Sequence, residues 1–331
     1  MPNGLFSACL YHQNKPNSNA LRNLKYFLVD VFTDHIFCGN QLAVFPDAAG
    51  LKKNTMQSIA RELNLSETTF VFSPTNTKAN FRVRIFTPGE ELPMAGHPTL
   101  GTAFMLSKLK RFSTPTSAKG NTIANIVFQE KVGLIPVTIV YDRQGNPDRI
   151  VMQQPKPVFG LECREIDELS QMLSLDKNAI LDTGLPAQVV SCGVPFLFVP
   201  IRDLSSIRKI RFRRDVSEKL LPRFKTSNVF VFAREVESKS SFVHSRMFAP
   251  GIGVAEDPAT GSASGPLGCY LVKHGVLKAT PEVEFVSEQG IEISRPSLIN
   301  VRIGVDSRGQ IEKVLVSGQC VQVGEGLLQL K

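Results

Sequence analysis

The chain is expected to fold as an α+β protein of two pseudo-symmetric halves, each a mostly antiparallel sheet wrapped around a central helix. The first observation behind this is an internal repeat. Arg84-Ile-Phe-Thr-Pro-Gly89 returns as Arg246-Met-Phe-Ala-Pro-Gly251, and His97-Pro-Thr-Leu-Gly-Thr-Ala103 returns as Asp257-Pro-Ala-Thr-Gly-Ser-Ala263. Phe70-Val-Phe72, Cys38-Gly39 and Asp142-Arg-Gln-Gly145 return in the same order as Phe230-Val-Phe232, Cys192-Gly193 and Asp306-Ser-Arg-Gly309. The displacement is about 160 residues in every case, far longer than a solenoid period, so the doubled unit is a domain. The second observation is the dominance of short β-branched and aromatic runs between turn signals. The third is that helical periodicity is rare and, in each half, follows a proline and a cluster of small residues.

The elements follow in order. Residues 1–25 hold no acidic residue, one arginine and many Asn and Pro, and read as a disordered tail. The first half is placed at 26–155 and the second at 156–331, with the extreme C-terminus expected to pack back on the first half. Tyr26-Phe-Leu-Val-Asp-Val-Phe32, Phe81-Arg-Val-Arg-Ile-Phe86 and Val137-Thr-Ile-Val-Tyr141 are strands, and Asp142 to Asp148 is a turn. Residues 54–63 place Met56, Ile59, Ala60 and Leu63 on one helical face. A second helix is expected over 98–108 and its repeat over 258–273, with His97 and Asp257 as caps and Pro98 and Pro258 at the first helical position. Residues 189–201 read as one buried strand. The basic stretch 208–214 reads as a solvated strand or loop edge.

Composition narrows the function. With 38 Lys+Arg against 30 Asp+Glu, the formal charge is +8. The charge is dispersed, no nucleic-acid motif accompanies it, and a mild positive field suits a small anionic substrate. No apolar window is long enough to span a membrane. Six cysteines without a CxxC pair or a secretory leader are expected to be reduced thiols in the cytoplasm. Cys38 and Cys192 read as small buried apolar groups. His12, His35, His244 and His274 lack metal-ligand spacing and read as surface or hydrogen-bonded loop residues. Gly251-Ile-Gly253 lacks the third glycine of a dinucleotide loop, so neither metal nor cofactor is expected.

The chemistry is expected where the two repeated helices begin. A helix start offers free N–H groups and a positive dipole end to a carboxylate, and a seam between halves is the ordinary place for a pocket. The halves differ at that seam. Glu67 aligns with Ser227, and His97 with Asp257. A glutamate entering an apolar strand has its charged form disfavoured, which suits a group that takes a proton and returns it.

Taken together, Gly39-Asn40-Gln41-Leu42-Ala43-Val44, Leu65-Ser66-Glu67-Thr68, Phe86-Thr87-Pro88, Met94-Ala95-Gly96-His97-Pro98-Thr99-Leu100-Gly101 and Glu256-Asp257-Pro258-Ala259-Thr260-Gly261-Ser262-Ala263 resemble the PhzF-like isomerase family of phenazine biosynthesis. The Gly290 and Arg295-Pro296-Ser297 region is similar to its later motif. The resemblance covers the chain from Tyr26 onward. It implies a diaminopimelate-epimerase-like fold, a cofactor-free isomerase acting on a small cyclic or unsaturated carboxylic acid, and a homodimer. It further implies that Glu67, His97 and Asp257 are catalytic, and that Gly96, Gly261 and Ser262 line the substrate region. The superfamily's racemases use a cysteine from each half near the helix starts, and neither start here has one. Two other functions remain open at this point: an epimerase or racemase with Glu67 and Asp257 as opposed bases, and a non-catalytic ligand-binding protein of the same fold.

Overall fold

The structure, a computed structural model, describes residues 22–113 and 122–330. Most of the expected N-terminal tail lies outside the described residues. Residues 22–25 do not belong to it, because the first strand already begins at Arg22. The elements of the first half are β1 (Arg22–Val31), β2 (Asn40–Phe45), α1 (Lys53–Leu63), β3 (Glu67–Phe72), β4 (Phe81–Phe86), β5 (Glu91–Leu92), α2 (Gly96–Lys108), β6 (Ile123–Glu130), β7 (Gly133–Tyr141) and β8 (Pro147–Gln154). Then come β9 (Val158–Cys163), α3 (Ile166–Leu173), α4 (Asn178–Leu181), β10 (Ala187–Ser191), β11 (Pro195–Pro200), α5 (Leu204–Lys209), α6 (Arg214–Leu220) and β12 (Val229–Ala233). The chain finishes with β13 (Val243–Ala249), β14 (Val254–Asp257), α7 (Gly261–Lys273), β15 (Glu282–Gln289), β16 (Ser297–Val305), β17 (Ile311–Gly318) and β18 (Cys320–Leu330).

Strand pairing repeats the sequence duplication. β2 pairs parallel with β3, β3 antiparallel with β4, β4 parallel with β6, and β6, β7 and β8 form an antiparallel meander. β11, β12, β13, β15, β16 and β17 repeat that series with the same directions. β9 runs antiparallel to β10 in the second half, and β18 takes the corresponding place beside β1, bringing the C-terminus back onto the first sheet. β8 and β17 pair across the seam and join both halves into one continuous sheet. Side-chain turns recur as well. Asp142 Oδ1 accepts the amides of Gln144 and Asn146, and Asp306 Oδ1 accepts those of Arg308 and Gln310. Gly145 and Gly309 supply the left-handed residue in these two hairpins, with φ of 83° and 76°.

The central helices are α2 and α7. Twelve of the thirteen residues of α2, from Gly96 to Ser107, are buried. A helix enclosed on all sides has no reason to be amphipathic, and neither helix is. Both sit in the inner core with Phe32, Phe128, Phe198, Phe232 and Val316. The outer faces are covered differently in the two halves. α1 alone packs Met56, Ile59 and Ala60 over Phe45 and Phe70, whereas α3 to α6 bury Leu173, Ile180, Ile207 and Leu220 over Val199 and Val231.

Several expected elements shift. Residues 189–201 form a hairpin, β10 and β11, and not one strand. It turns at Gly193, whose φ of 116° few other residues adopt. The 208–214 stretch is a loop over 210–213 with its basic residues exposed, as expected, flanked by the last two residues of α5 and the first of α6. α7 begins at Gly261, not at 258, and α2 at Gly96, so the caps are Thr260 and Ala95 in place of Asp257 and His97. Proline is tolerated anywhere in the first turn, where amides lack helical acceptors, so Pro98 does not mark the first position. Pro258 lies in the link between β14 and α7. No helix among the described residues is long and apolar enough to cross a membrane.

Candidate active site

Glu67 is the first residue of β3 and pairs with Leu42 in the parallel ladder to β2. His97 is the second residue of α2. Asp257 is the last residue of β14. The fold brings all three to a cavity of about 470 Å³ between the halves, which Gly96, Gly261 and Ser262 also line. The two helix starts abut there. A Cβ on Gly96 would lie 2.5 Å from the amide nitrogen of Ser262, and one on Gly261 would lie 2.6 Å from the Phe32 ring. Both glycines are therefore required by the close approach of backbone and ring, and their missing side chains leave the helix-start amides beside the cavity.

Glu67, His97 and Asp257 are all at least nine-tenths buried. Glu67 Oε2 and His97 Nε2 stand 3.2 Å apart, yet neither makes an aligned hydrogen bond. Burial depresses His97 to about 3, with the Gln41 backbone pulling weakly the other way, so its ring is neutral at physiological pH. Burial first, and the neighbouring Asp257 charge second, hold the Glu67 carboxyl well above the ordinary range. Asp257 is pushed up to about 6 by burial, against which hydrogen-bond donors work. Its Oδ1 accepts from Asn40 Nδ2 at 2.7 Å and its Oδ2 from Thr260 Oγ1 at 2.5 Å. Of the two carboxyls, Asp257 accepts a hydrogen bond at each oxygen, whereas Glu67 Oε2 has no hydrogen-bond partner.

The scaffold explains these positions. Arg84 forms a two-pronged ion pair with Glu91 on β5, and its repeat Arg246 forms the same pair with Glu256 on β14. The second pair anchors the residue before Asp257. Gln289 Nε2 donates to the Asp257 carbonyl at 2.7 Å while its Oε1 accepts from the Thr260 amide at 3.0 Å. Ser297 Oγ donates to the Pro258 carbonyl, and a Cβ on Gly290 would meet that same carbonyl oxygen at 2.4 Å. Arg295 bonds Asp30 Oδ1 at 2.6 Å and the carbonyls of Gly39 and Cys38, tying the second half to the loop before Asn40. The later motif thus braces the site from behind.

Sequence reasoning did not single out Asn40, Thr260 or Gln289 as working residues. Asn40 and Thr260 lie inside quoted motifs, but Gln289 carries no signal of its own, because it matters only through β15 meeting β13. The ladders also revise one alignment. Phe70 pairs with Arg84, and Val231 with the equivalent Arg246, so Glu67 corresponds to Asn228 and not to Ser227. Asn228 lines the same cavity. His244 is neither a surface nor a loop residue. It lies fully buried in β13, between Glu288 and Glu292 at 2.9 Å each. Cys192 is buried, whereas Cys38 is half-buried.

This geometry defines a two-halved α+β fold with a buried acid–base cluster at its seam. Residues 29–326 match the family described as phenazine biosynthesis-like protein. The chain is 35% identical over 308 residues to a trans-2,3-dihydro-3-hydroxyanthranilate isomerase of Pseudomonas chlororaphis, covering 92% of this chain and 99% of that one. It is 33% identical over 313 residues to an uncharacterised isomerase of Clostridium acetobutylicum, covering 94% and 99%. Among solved structures it is similar to a PhzF-family phenazine biosynthesis protein of Bacillus anthracis, with a TM-score of 0.79, 27% identity and coverage of 93% and 100%. A hydroxyproline epimerase from Agrobacterium vitis shares the fold at a TM-score of 0.64 and 11% identity. The chain belongs to the PhzF family of phenazine biosynthesis-like proteins.

Proposed function

We propose that this PhzF-family isomerase moves a proton between two carbons of a small cyclic or unsaturated carboxylic acid, with Glu67 as the group that takes the proton and gives it back. The observation that carries this reading is Glu67 Oε2, which is buried beside the cavity without a hydrogen-bond partner, 3.2 Å from a neutral imidazole. The substrate class is that of trans-2,3-dihydro-3-hydroxyanthranilate, which names the P. chlororaphis relative.

The substrate carboxylate is taken by the amides at the starts of α2 and α7, and the apolar wall of Leu92, Val194 and Phe196 receives the rest of the molecule. Burial raises the proton affinity of Glu67, so its ionised form is a stronger base than an exposed glutamate. His97, neutral and in contact with Glu67, offers a polar partner without a competing positive charge. Asp257 is committed to Asn40 and Thr260 and so makes a poor second base. That speaks for a single group working on one face of the substrate, and against racemisation by two opposed carboxylates.

The test is Glu67→Gln. Turnover should fall by about 10²-fold or more while binding of carboxylic acids persists. In deuterium oxide, wild-type product should carry solvent label at the carbon that receives the proton, with an ultraviolet change reporting the moved double bond. A variant with full activity removes Glu67 from the mechanism.

A further inference from the structure

One buried polar group at the cavity has no place in the chemistry above. Asn228 precedes β12 and is only 8% exposed. It lines the cavity from the second half, at the position that Glu67 holds in the first. The orientation of its amide is dictated by chemistry. Asn228 Nδ2 lies 3.1 Å from the Pro195 carbonyl oxygen, which also accepts from Thr226 Oγ1 at 2.8 Å. A carbonyl only accepts, so the amino group of Asn228 must face it. The other end of the amide is then the oxygen, an acceptor. It is buried with no hydrogen-bond partner in the protein.

Buried polar atoms are nearly always satisfied, and one left open at a ligand cavity points to a partner that the ligand brings. An acceptor requires a donor. The carboxylate of the substrate cannot supply one, and the helix starts already answer it with N–H groups. Glu67 and Asn228 come from equivalent places in opposite halves, so a ligand held between them reaches both.

We propose that Asn228 is a specificity-determining residue of the site: its side-chain oxygen accepts a hydrogen bond from an amino or hydroxyl substituent of the substrate, at the edge remote from the carbon that Glu67 deprotonates. This rests on the isomerase reading above and adds a demand to it. A carboxylic acid that carries an N–H or O–H donor is selected, and the same ring without one is refused, because it leaves the Asn228 oxygen stranded.

The experiment measures dissociation constants by calorimetry for benzoate, 2-aminobenzoate and 3-hydroxybenzoate on the full chain. These planar acids present the carboxylate and cannot isomerise. At least one substituted acid should bind wild type about tenfold tighter than benzoate. In Asn228→Leu that preference should collapse to within twofold, with benzoate bound at least as tightly as by wild type, which shows the cavity intact. If wild type binds benzoate as tightly as both substituted acids, or if Asn228→Leu keeps the preference, the role of Asn228 is refuted while the carboxylate site stands. If none of the acids binds, the carboxylate reading and this inference fall together. The wild-type ligand series decides the question even where a variant does not fold.

Discussion

Glu130 offers a test of how the first turn of α2 is held. It ends β6, is 5% exposed, and places Oε1 2.6 Å from Thr99 Oγ1. The same hydroxyl lies 2.7 Å from the Ala95 carbonyl. Thr99 Oγ1 has one proton and two acceptors in reach, the Glu130 carboxyl and the Ala95 carbonyl, so it cannot fully satisfy a charged carboxylate. Burial raises this carboxyl from 4.5 to about 8, against a small opposing pull from Thr99. A carboxyl whose folded value exceeds its unfolded value binds an extra proton in the native state throughout the window between them. The native state is therefore penalised as pH rises from 4.5 towards 8. Between pH 5 and pH 8 the loss is on the order of a few kcal/mol, or a few °C in Tm for a chain of this length. Glu130→Gln donates to the Thr99 oxygen at every pH and does not titrate. Urea or thermal unfolding of both proteins across this range should show wild type losing ground steadily to the variant as pH rises. Parallel curves would refute the protonated assignment.

Two further outcomes are expected. Asp257→Asn removes the charge that helps hold Glu67 high. With Glu67 as the proposed base, kcat/KM rises with pH through its pKa, and this acid limb should move to lower pH in the variant. A limb at the wild-type position would deny the coupling, whatever the loss of rate. His244, opposed by burial but favoured by Glu288 and Glu292, stands at about 9, so its raised value stabilises the fold below pH 6.5 and that contribution is lost as pH rises through 9. His244→Leu strands the buried Glu288 and the half-buried Glu292 carboxylates and should cost ~3–5 kcal/mol at neutral pH in urea unfolding. A loss below ~1 kcal/mol would show the pair relieved by water or by rearrangement.

What could be read from the sequence was whatever is written in local pattern. The duplication, strand β4, the helix at α1 and the paired Asp142 and Asp306 turns depend on residues close in the chain, and they show there. Glu67, His97 and Asp257 stood out because the two halves differ there in otherwise repeated segments, and the fold brings all three to one cavity. What was misread depended on distance. His244 looked like an ordinary histidine because its two carboxylates arrive from β15 and the segment after it, more than forty residues away. Gln289 and Asn40 clamp Asp257 from 32 and 217 residues away, a relation that no local window holds. The starts of α2 and α7 slipped by two and three residues because proline is compatible with several positions in and before a first turn. The Glu67 alignment slipped by one because matching Phe-Val-Phe by residue identity sets a register one residue away from the ladder to Arg84 and Arg246, which sets it by position.

The pattern of kept and broken symmetry bears on the reaction. The parts that hold the fold are kept in both halves: the Arg84–Glu91 and Arg246–Glu256 pairs, the two Asp turns and the two buried helices. The parts that face the cavity are not. Glu67 is answered by Asn228, which cannot take a proton from carbon, and Asp257 is held by Asn40 and Thr260. An enzyme that inverts a stereocentre needs a base on each face of the carbon, so selection would keep that symmetry. An enzyme that moves a proton along one face needs a single base, and the matching place in the other half is then free to become a binding group. The loss of titratable chemistry at the position equivalent to Glu67 is what one-sided proton transfer would leave behind, and it favours an isomerase over a racemase on the same duplicated frame.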